Sequence, residues 1–217
     1  MDDLDMRIAI RRLATDTSGV AAIEFAYVAP IFLFVAFGGI EVADFAFTHM
    51  QLSQITASLA DNAGRVAMNS DLAEQSVHER DINELLAAAK MQGDRLDLGQ
   101  NGRLILSSLQ VNEDGGQWIA WQRCAGALGG SSRFGDEGTG AAGTGFAGVS
   151  IDGRTLKATA GSAVMVAEIR YRYTSKFPLT PNAAKEISYA VAFPIRDHRS
   201  LAGLINTAPT VTPSSCG

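Results

Sequence analysis

The chain is poor in the residues that usually build reactive sites. It has only two cysteines, Cys124 and Cys216, and three histidines, His49, His78 and His198. None of these is spaced like a H-x-x-x-H or paired-cysteine ligand set, so no metal ligand and no cofactor is expected. No G-x-S-x-G turn is present and no catalytic residue stands out, although a triad assembled from distant positions leaves no sequence signature. Lys and Arg number 18 against 23 Asp and Glu, with no basic block, a formal charge of -5 and a pI near 5.2. Phosphate recognition needs clustered cations, so nucleic acid is not an expected partner. With 217 residues, 47% of them hydrophobic, the chain is long and apolar enough for one domain with a real core, which excludes fully disordered and collagen-like classes.

Charge is absent from residues 25–40, and from residues 20–40 if one carboxylate, Glu24, is tolerated. At about 1.5 Å per residue the longer stretch spans roughly 30 Å, the thickness of a hydrocarbon core, so a membrane-spanning helix is expected over residues 20–41. Arg7, Arg11 and Arg12 precede it, whereas the first basic residue after it is Arg65. That asymmetry places the N-terminus in the cytoplasm and the rest of the chain outside it. The competing reading is a secretory signal peptide, but the apolar run exceeds the usual 7 to 15 residues, and Ala36 and Gly38 offer only a weak cleavage site. A carboxylate at membrane depth costs about 2.5 to 3.5 kcal/mol, so Glu24 needs a reason to be there.

Helical character continues over residues 42–68. Phe45, Leu52, Leu59 and Val66 recur every seven residues, with Ile55 on the same face, while Thr48 and Asn62 interrupt it. Such a stripe packs on the chain's own domain or on neighbouring helices. Pro30 removes a backbone hydrogen bond inside the span and is expected to bend or loosen it, a defect membrane helices tolerate. A second helix is expected over 72–92, with Ile82, Leu85, Leu86 and Ala89 on one face and Gly93 as its stop. The period then changes. Residues 103–111 (RLILSSLQV), 117–124 (QWIAWQRC), 163–174 (AVMVAEIRYRYT) and 187–196 (ISYAVAFPIR) are rich in β-branched and aromatic residues, and NEDGG at 112–116 reads as a hairpin connection. The expected class is α+β: a long N-terminal transmembrane helix running into an exported domain with a second helix and an antiparallel sheet of about four strands.

Residues 125–150 are glycine-rich and contain two overlapping G-x-G-x-x-G matches, at Gly138, Gly140, Gly143 and at Gly143, Gly145, Gly148. No βαβ context encloses them, so the segment reads as a mobile surface loop rather than a dinucleotide site. The tail, residues 206–217, is polar with two prolines and alone would be disordered. Cys124 and Cys216, if exported, sit where disulfides persist, and bridging them would close a loop of about ninety residues and pin that tail. Two free thiols are the alternative for a protein that never meets an oxidant.

The run Gly19-Val20-Ala21-Ala22-Ile23-Glu24-Phe25, followed by Pro30 and a GGIE exit at residues 38–41, resembles the class III signal of type IV pilins. It is closer still to the TadE-like proteins of tight-adherence (Flp) pilus systems. The chain differs from the family in lacking a basic residue just before the Gly, where Thr17-Ser18 stands, and shortly after the exit Glu, where Asp44 stands. The D-x-S-x-S metal motif of the related TadG-type proteins is absent. The resemblance implies a pilin-like fold and cleavage by a prepilin peptidase between Gly19 and Val20, with residues 1–19 as a cytoplasmic leader. Glu24, fifth in the mature chain, and Phe25 would then serve assembly and recognition.

The expected protein is therefore a non-enzymatic minor pseudopilin, held in the bacterial inner membrane by one span and acting in pilus assembly and surface adhesion. Its implied partners are the prepilin peptidase, the major Flp pilin and other pseudopilins, the inner-membrane assembly platform and membrane lipid. Beyond residue 68 the divisions are an α+β periplasmic or extracellular domain, 69–205, and the tail. The rivals are an uncleaved single-span anchor with a periplasmic binding domain, and a secreted β-rich enzyme or lectin-like module beginning near Gly39. Against a pilin role, Glu24 would simply lie at the cytoplasmic interface and snorkel toward water.

Overall fold

A computed structural model describes residues 11, 12, 18–66, 75–177 and 184–216. Most of the expected leader, the last residues of the first expected helix (67–68) and the start of the second (72–74) lie outside them. The chain divides into two units, Met1–Asp44 and Phe45–Gly217.

Helix α1, Ser18–Ala63, belongs to both units and runs unbroken through Pro30. In the first unit its side chains from Phe25 to Ile40 are uncharged on every side and largely exposed, among them Phe25 at 72%, Phe32 at 67% and Val35 at 66%. A helix hydrophobic all round is one built for an apolar surround. Its mean hydropathy reaches 2.2, and among the described residues this is the one helix long and apolar enough to cross a membrane.

In the second unit the same helix becomes one-sided. Leu52, Ile55, Leu59, Ala60 and Ala63 are buried at i, i+3, i+4 spacing, with Phe45 and Val66 packed beside them. The heptad stripe thus packs on the chain's own domain. Thr48, which interrupts the stripe in sequence, is itself buried. Buried Thr56 is accommodated because its hydroxyl donates to the Leu52 carbonyl at 2.7 Å. The helix ends at Arg199, whose Nη1 donates to the orphan Ala63 carbonyl at 3.0 Å. That buried guanidinium is neutralised by Asp197, with contacts of 2.5 and 2.6 Å.

Helix α2, Glu79–Gln92, buries Ile82, Leu86 and Ala89 and leaves Leu85 at the margin, as its periodicity predicts. It starts later than residue 72. Residues 75–78 are not helical: Gln75 bridges to Arg199 and His78 to Ile205, and the Glu79 N–H donates to the Ile205 carbonyl at 2.9 Å. These longer-range backbone bonds outcompete another helical turn. The Asp81 carboxylate accepts the His78 N–H at 3.1 Å and closes the start.

A short 3-10 turn, Asp94–Leu96, and helix α3, Leu98–Asn101, lead into the sheet. Its strands are β1 (Gly102–Val111), β2 (Gln117–Ala125), β5 (Val164–Thr174) and β6 (Ala184–Pro194), in the order β2-β1-β5-β6 with every pair antiparallel. The class is α+β with the four strands expected. One face, through Leu104, Leu106, Met165, Ala167 and Ile169, meets the helices. Each such Leu or Ile contributes about 1.5 to 3 kcal/mol through removal from water.

A second, smaller hairpin, β3 (Val149–Ile151) with β4 (Arg154–Leu156), is absent from the sequence reading. With Phe134 and Phe146 of the glycine-rich segment it covers Leu109 and Val166 on the opposite face of the sheet. That segment is fastened to the domain rather than standing free of it. Asn112 Nδ2 donates to the carbonyls of Gly140 and Gly143, both at 2.8 Å, and the Gly143 N–H donates to Asp114 at 2.6 Å. Gly140 shows why glycine is needed: at φ +78°, an added Cβ would lie 2.4 Å from the Gln117 carbonyl.

Candidate functional site

Two places carry the residues singled out in the sequence, one in each unit. In the first, Gly19, Val20, Glu24, Phe25 and Pro30 all lie on α1. The Gly19–Val20 bond lies near the start of the helix as described, Ser18–Ala63. An added Cβ on Gly19 would meet nothing within 4 Å among the described residues, so the backbone there is open. Glu24 follows Val20 by four residues, which places both on one helical face about one turn apart.

In the second unit, Cys124 on β2 is bridged to Cys216, with Cα atoms 4.8 Å apart across a sequence separation of 92. The bridge fixes a tail that would otherwise be loose. The Cys124 N–H donates to the Ser214 carbonyl at 2.7 Å, Asn83 Nδ2 to the Thr212 carbonyl at 2.9 Å, and Arg103 to the Cys216 carbonyl.

Beside the bridge is a pocket of about 540 Å³ between the glycine-rich segment and the tail, lined in part by Gln122, Arg123, Ser132, Glu137 and Cys216. Its charges engage one another. Arg123 forks onto buried Glu79 of α2, with Nε at 2.9 Å from Oε2, and its Nη1 reaches Glu137 at 2.9 Å. The Glu79 hydrogen bond raises the Arg123 pKa further above its ordinary value. Behind Ser132, burial raises the pKa of Glu168, opposed by the hydrogen bond its Oε2 accepts from the Ser132 hydroxyl at 3.1 Å. Arg170 is raised in turn by its bond to Glu186 at 2.9 Å. No histidine lines the pocket, and among the described residues no group of three His, Cys, Asp or Glu is placed to hold a metal.

The Glu79–Arg123 fork and the Glu168–Ser132 pair escape sequence reasoning, because their partners lie 44 and 36 residues apart. A basic residue in an otherwise apolar strand was the one available signal.

These features define a class: an α+β domain joined to a single apolar helix with a carboxylate near the helix start. The family described as TadE-like protein matches the chain over residues 19–61, which is helix α1 almost entire. The match is to the family suggested by the Gly19 to Phe25 motif, and it stops before the sheet begins. No curated protein and no solved structure matches the chain.

Proposed function

We propose that the chain is a minor pseudopilin of a tight-adherence (Flp) pilus or a related secretion apparatus, a structural subunit rather than an enzyme. The reading rests on one observation: the TadE-like match falls on the helix that is apolar all round and carries Glu24 one turn from Val20. TadE-like proteins belong to Tad pilus systems. A prepilin peptidase cuts between Gly19 and Val20 on the cytoplasmic side of the inner membrane. The new α-amino group is a cation at the membrane boundary, and Glu24, on its own subunit or on a neighbour, pairs with it. Pairing offsets the burial cost of both charges and fixes the axial register of the subunit among its neighbours. Phe25 packs beside that pair, and Pro30 loosens the helix where subunits pass one another. The domain beyond the membrane is displayed in the periplasm or on the pilus, where it serves assembly and adhesion alongside the major Flp pilin and the inner-membrane platform.

The test is the mature N-terminus and intact mass of the protein made with and without its prepilin peptidase, with Glu24→Ala carried alongside. A start at Val20 that requires the peptidase, together with a Glu24→Ala protein that is cut but fails to enter filaments, is the expected result. A start at Met1 leaves an uncleaved membrane anchor, and a start near Gly39 leaves a secreted domain; either ends the pseudopilin reading.

A further inference from the structure

The two edges of the sheet are treated differently. The outer edge of β2 is covered at successive positions: Ile119 exchanges both its backbone bonds with Gly138 and Thr139, the Gln122 N–H donates to the Glu137 carboxylate at 2.9 Å, and the Cys124 N–H donates to Ser214. Such covering is how proteins prevent a sheet edge from recruiting another strand. The edge formed by β6 is met by the end of α1 only at its last residues, where the Arg196 N–H donates to the Gly64 carbonyl at 3.0 Å; from Glu186 to Ala192 it has no equivalent cover among the described residues.

Which backbone groups β6 turns outward follows from one bond. The Ile195 N–H donates to the Ala163 carbonyl at 3.0 Å, and the β5–β6 register is free of shifts from Val164 opposite Pro194 to Thr174 opposite Ala184. In an antiparallel ladder bonded pairs alternate, so odd-numbered β6 residues bond to β5. Glu186, Ser188, Ala190 and Ala192 therefore direct N–H and C=O away from the sheet, and none of these groups has a backbone partner among the described residues. Pro194 falls on the same outward set, the one place where a strand tolerates a missing N–H. On the helix side of the same strand, Tyr189, Val191 and Phe193 are only half-buried, so the apolar layer stops short at this edge.

We infer that the β6 edge is an interface, and that its occupant is the β6 strand of a second copy of this chain. An added strand must bring a free edge of matching length, and β6 is the one long strand of the described residues that offers one. Antiparallel pairing about a two-fold axis at Tyr189 sets Ser188 of one protomer opposite Ala190 of its partner and Glu186 opposite Ala192. All of these are outward-facing positions, and together they supply about eight backbone hydrogen bonds. On the helix side, Ile187 meets Val191, Tyr189 meets Tyr189 and the Lys185 stem meets Phe193, so aliphatic and aromatic surfaces lie together and no like charges face each other. The contact is isologous and satisfies both open edges at once, whereas an unrelated strand donor would bring a second edge needing its own cover. The result is one continuous sheet of two four-stranded halves.

The experiment uses the full chain in detergent micelles. Chains carrying Ser188→Cys and chains carrying Ala190→Cys are oxidised separately and mixed, with the Cys124–Cys216 bridge verified by mass. The expected product is a cross-linked dimer that forms efficiently only in the mixture, since these two positions are opposite each other. In parallel, Ala190→Pro removes an N–H that has no backbone partner among the described residues. It is expected to weaken dimerisation at least about tenfold in sedimentation while far-UV circular dichroism stays unchanged. A wild-type chain that remains monomeric at micromolar concentration overturns the inference. So do a dimer indifferent to Ala190→Pro, which would be held by the apolar helix instead, and cross-linking equally efficient in the unmixed samples. Should the proline variant misfold, the cysteine mixture decides the question alone.

Discussion

Glu168 sits in β5 with its side chain under the glycine-rich segment, 1% exposed, and with no hydrogen-bond partner for Oε1 within bonding distance among the described residues. Burial raises its pKa above the ordinary 4.5; the Ser132 hydroxyl and the positive charges of Arg133 and Arg170 pull against burial without overcoming it. The folded protein therefore holds a proton here that the unfolded chain has already released. Over the interval from about the unfolded pKa up to the raised one, the folded state binds more protons, so stability falls as pH rises through that window. Replacing the carboxyl with an amide of the same shape, Glu168→Gln, removes the ionisation and keeps an acceptor for Ser132. Its thermal midpoint should exceed that of the wild type at neutral pH, and the gap should close as pH drops below about 4. Calorimetry of both proteins across that range checks this, and a gap independent of pH would show that ionisation is not the cause.

At the scale of elements, the tail and the glycine-rich segment are the parts least legible in the sequence. The four strands and the helix faces could be read directly, because Leu52, Leu59, Ile82 and Leu86 recur with the helical period and the strand segments switch to β-branched and aromatic residues. The glycine-rich segment carries no period. Its order comes from single polar residues outside it: Asn112 and Asp114 of the NEDGG turn reach it, and Gln122 Nε2 donates to the Gly135 carbonyl at 3.0 Å. Composition registers the glycines but not the partners that fix them. The disulfide was legible only conditionally, since two cysteines permit one pairing and export decides whether it forms. What the sequence could not show is that the tail it pins lies along β2 as an edge cover. Replacing both cysteines by serine should cost about 4 kcal/mol, the loop-closure value for a ring of this size, visible as a lower denaturant midpoint. It should also speed hydrogen exchange at the Cys124 position, whose N–H is held by Ser214. A lowered midpoint with unchanged exchange there would mean that the tail keeps its place without the bridge.

Across the whole molecule, α1 serves two solvents with one uninterrupted helix. From Phe25 to Ile40 its residues are uncharged and apolar enough to cross a membrane, and from Phe45 onward its buried stripe belongs to the core of the second unit. The boundary of the foldable domain is therefore not the end of the helix. A fragment of residues 45–217 retains Leu52, Ile55, Leu59, Ala60 and Ala63, together with the Ala63 carbonyl that Arg199 caps. It should be soluble without detergent and unfold cooperatively in urea. A fragment of residues 64–217 keeps the sheet and α2 but loses that stripe, and each missing Leu or Ile forfeits about 1.5 to 3 kcal/mol. Three such losses, with a buried guanidinium left short of one acceptor, are comparable to the whole 5 to 15 kcal/mol by which domains are typically stable. The shorter fragment should lack a cooperative transition by circular dichroism. If both fragments unfold with the same midpoint, the second half of α1 is an appendage to the domain and not part of its core. If neither folds, the domain depends on residues before Phe45.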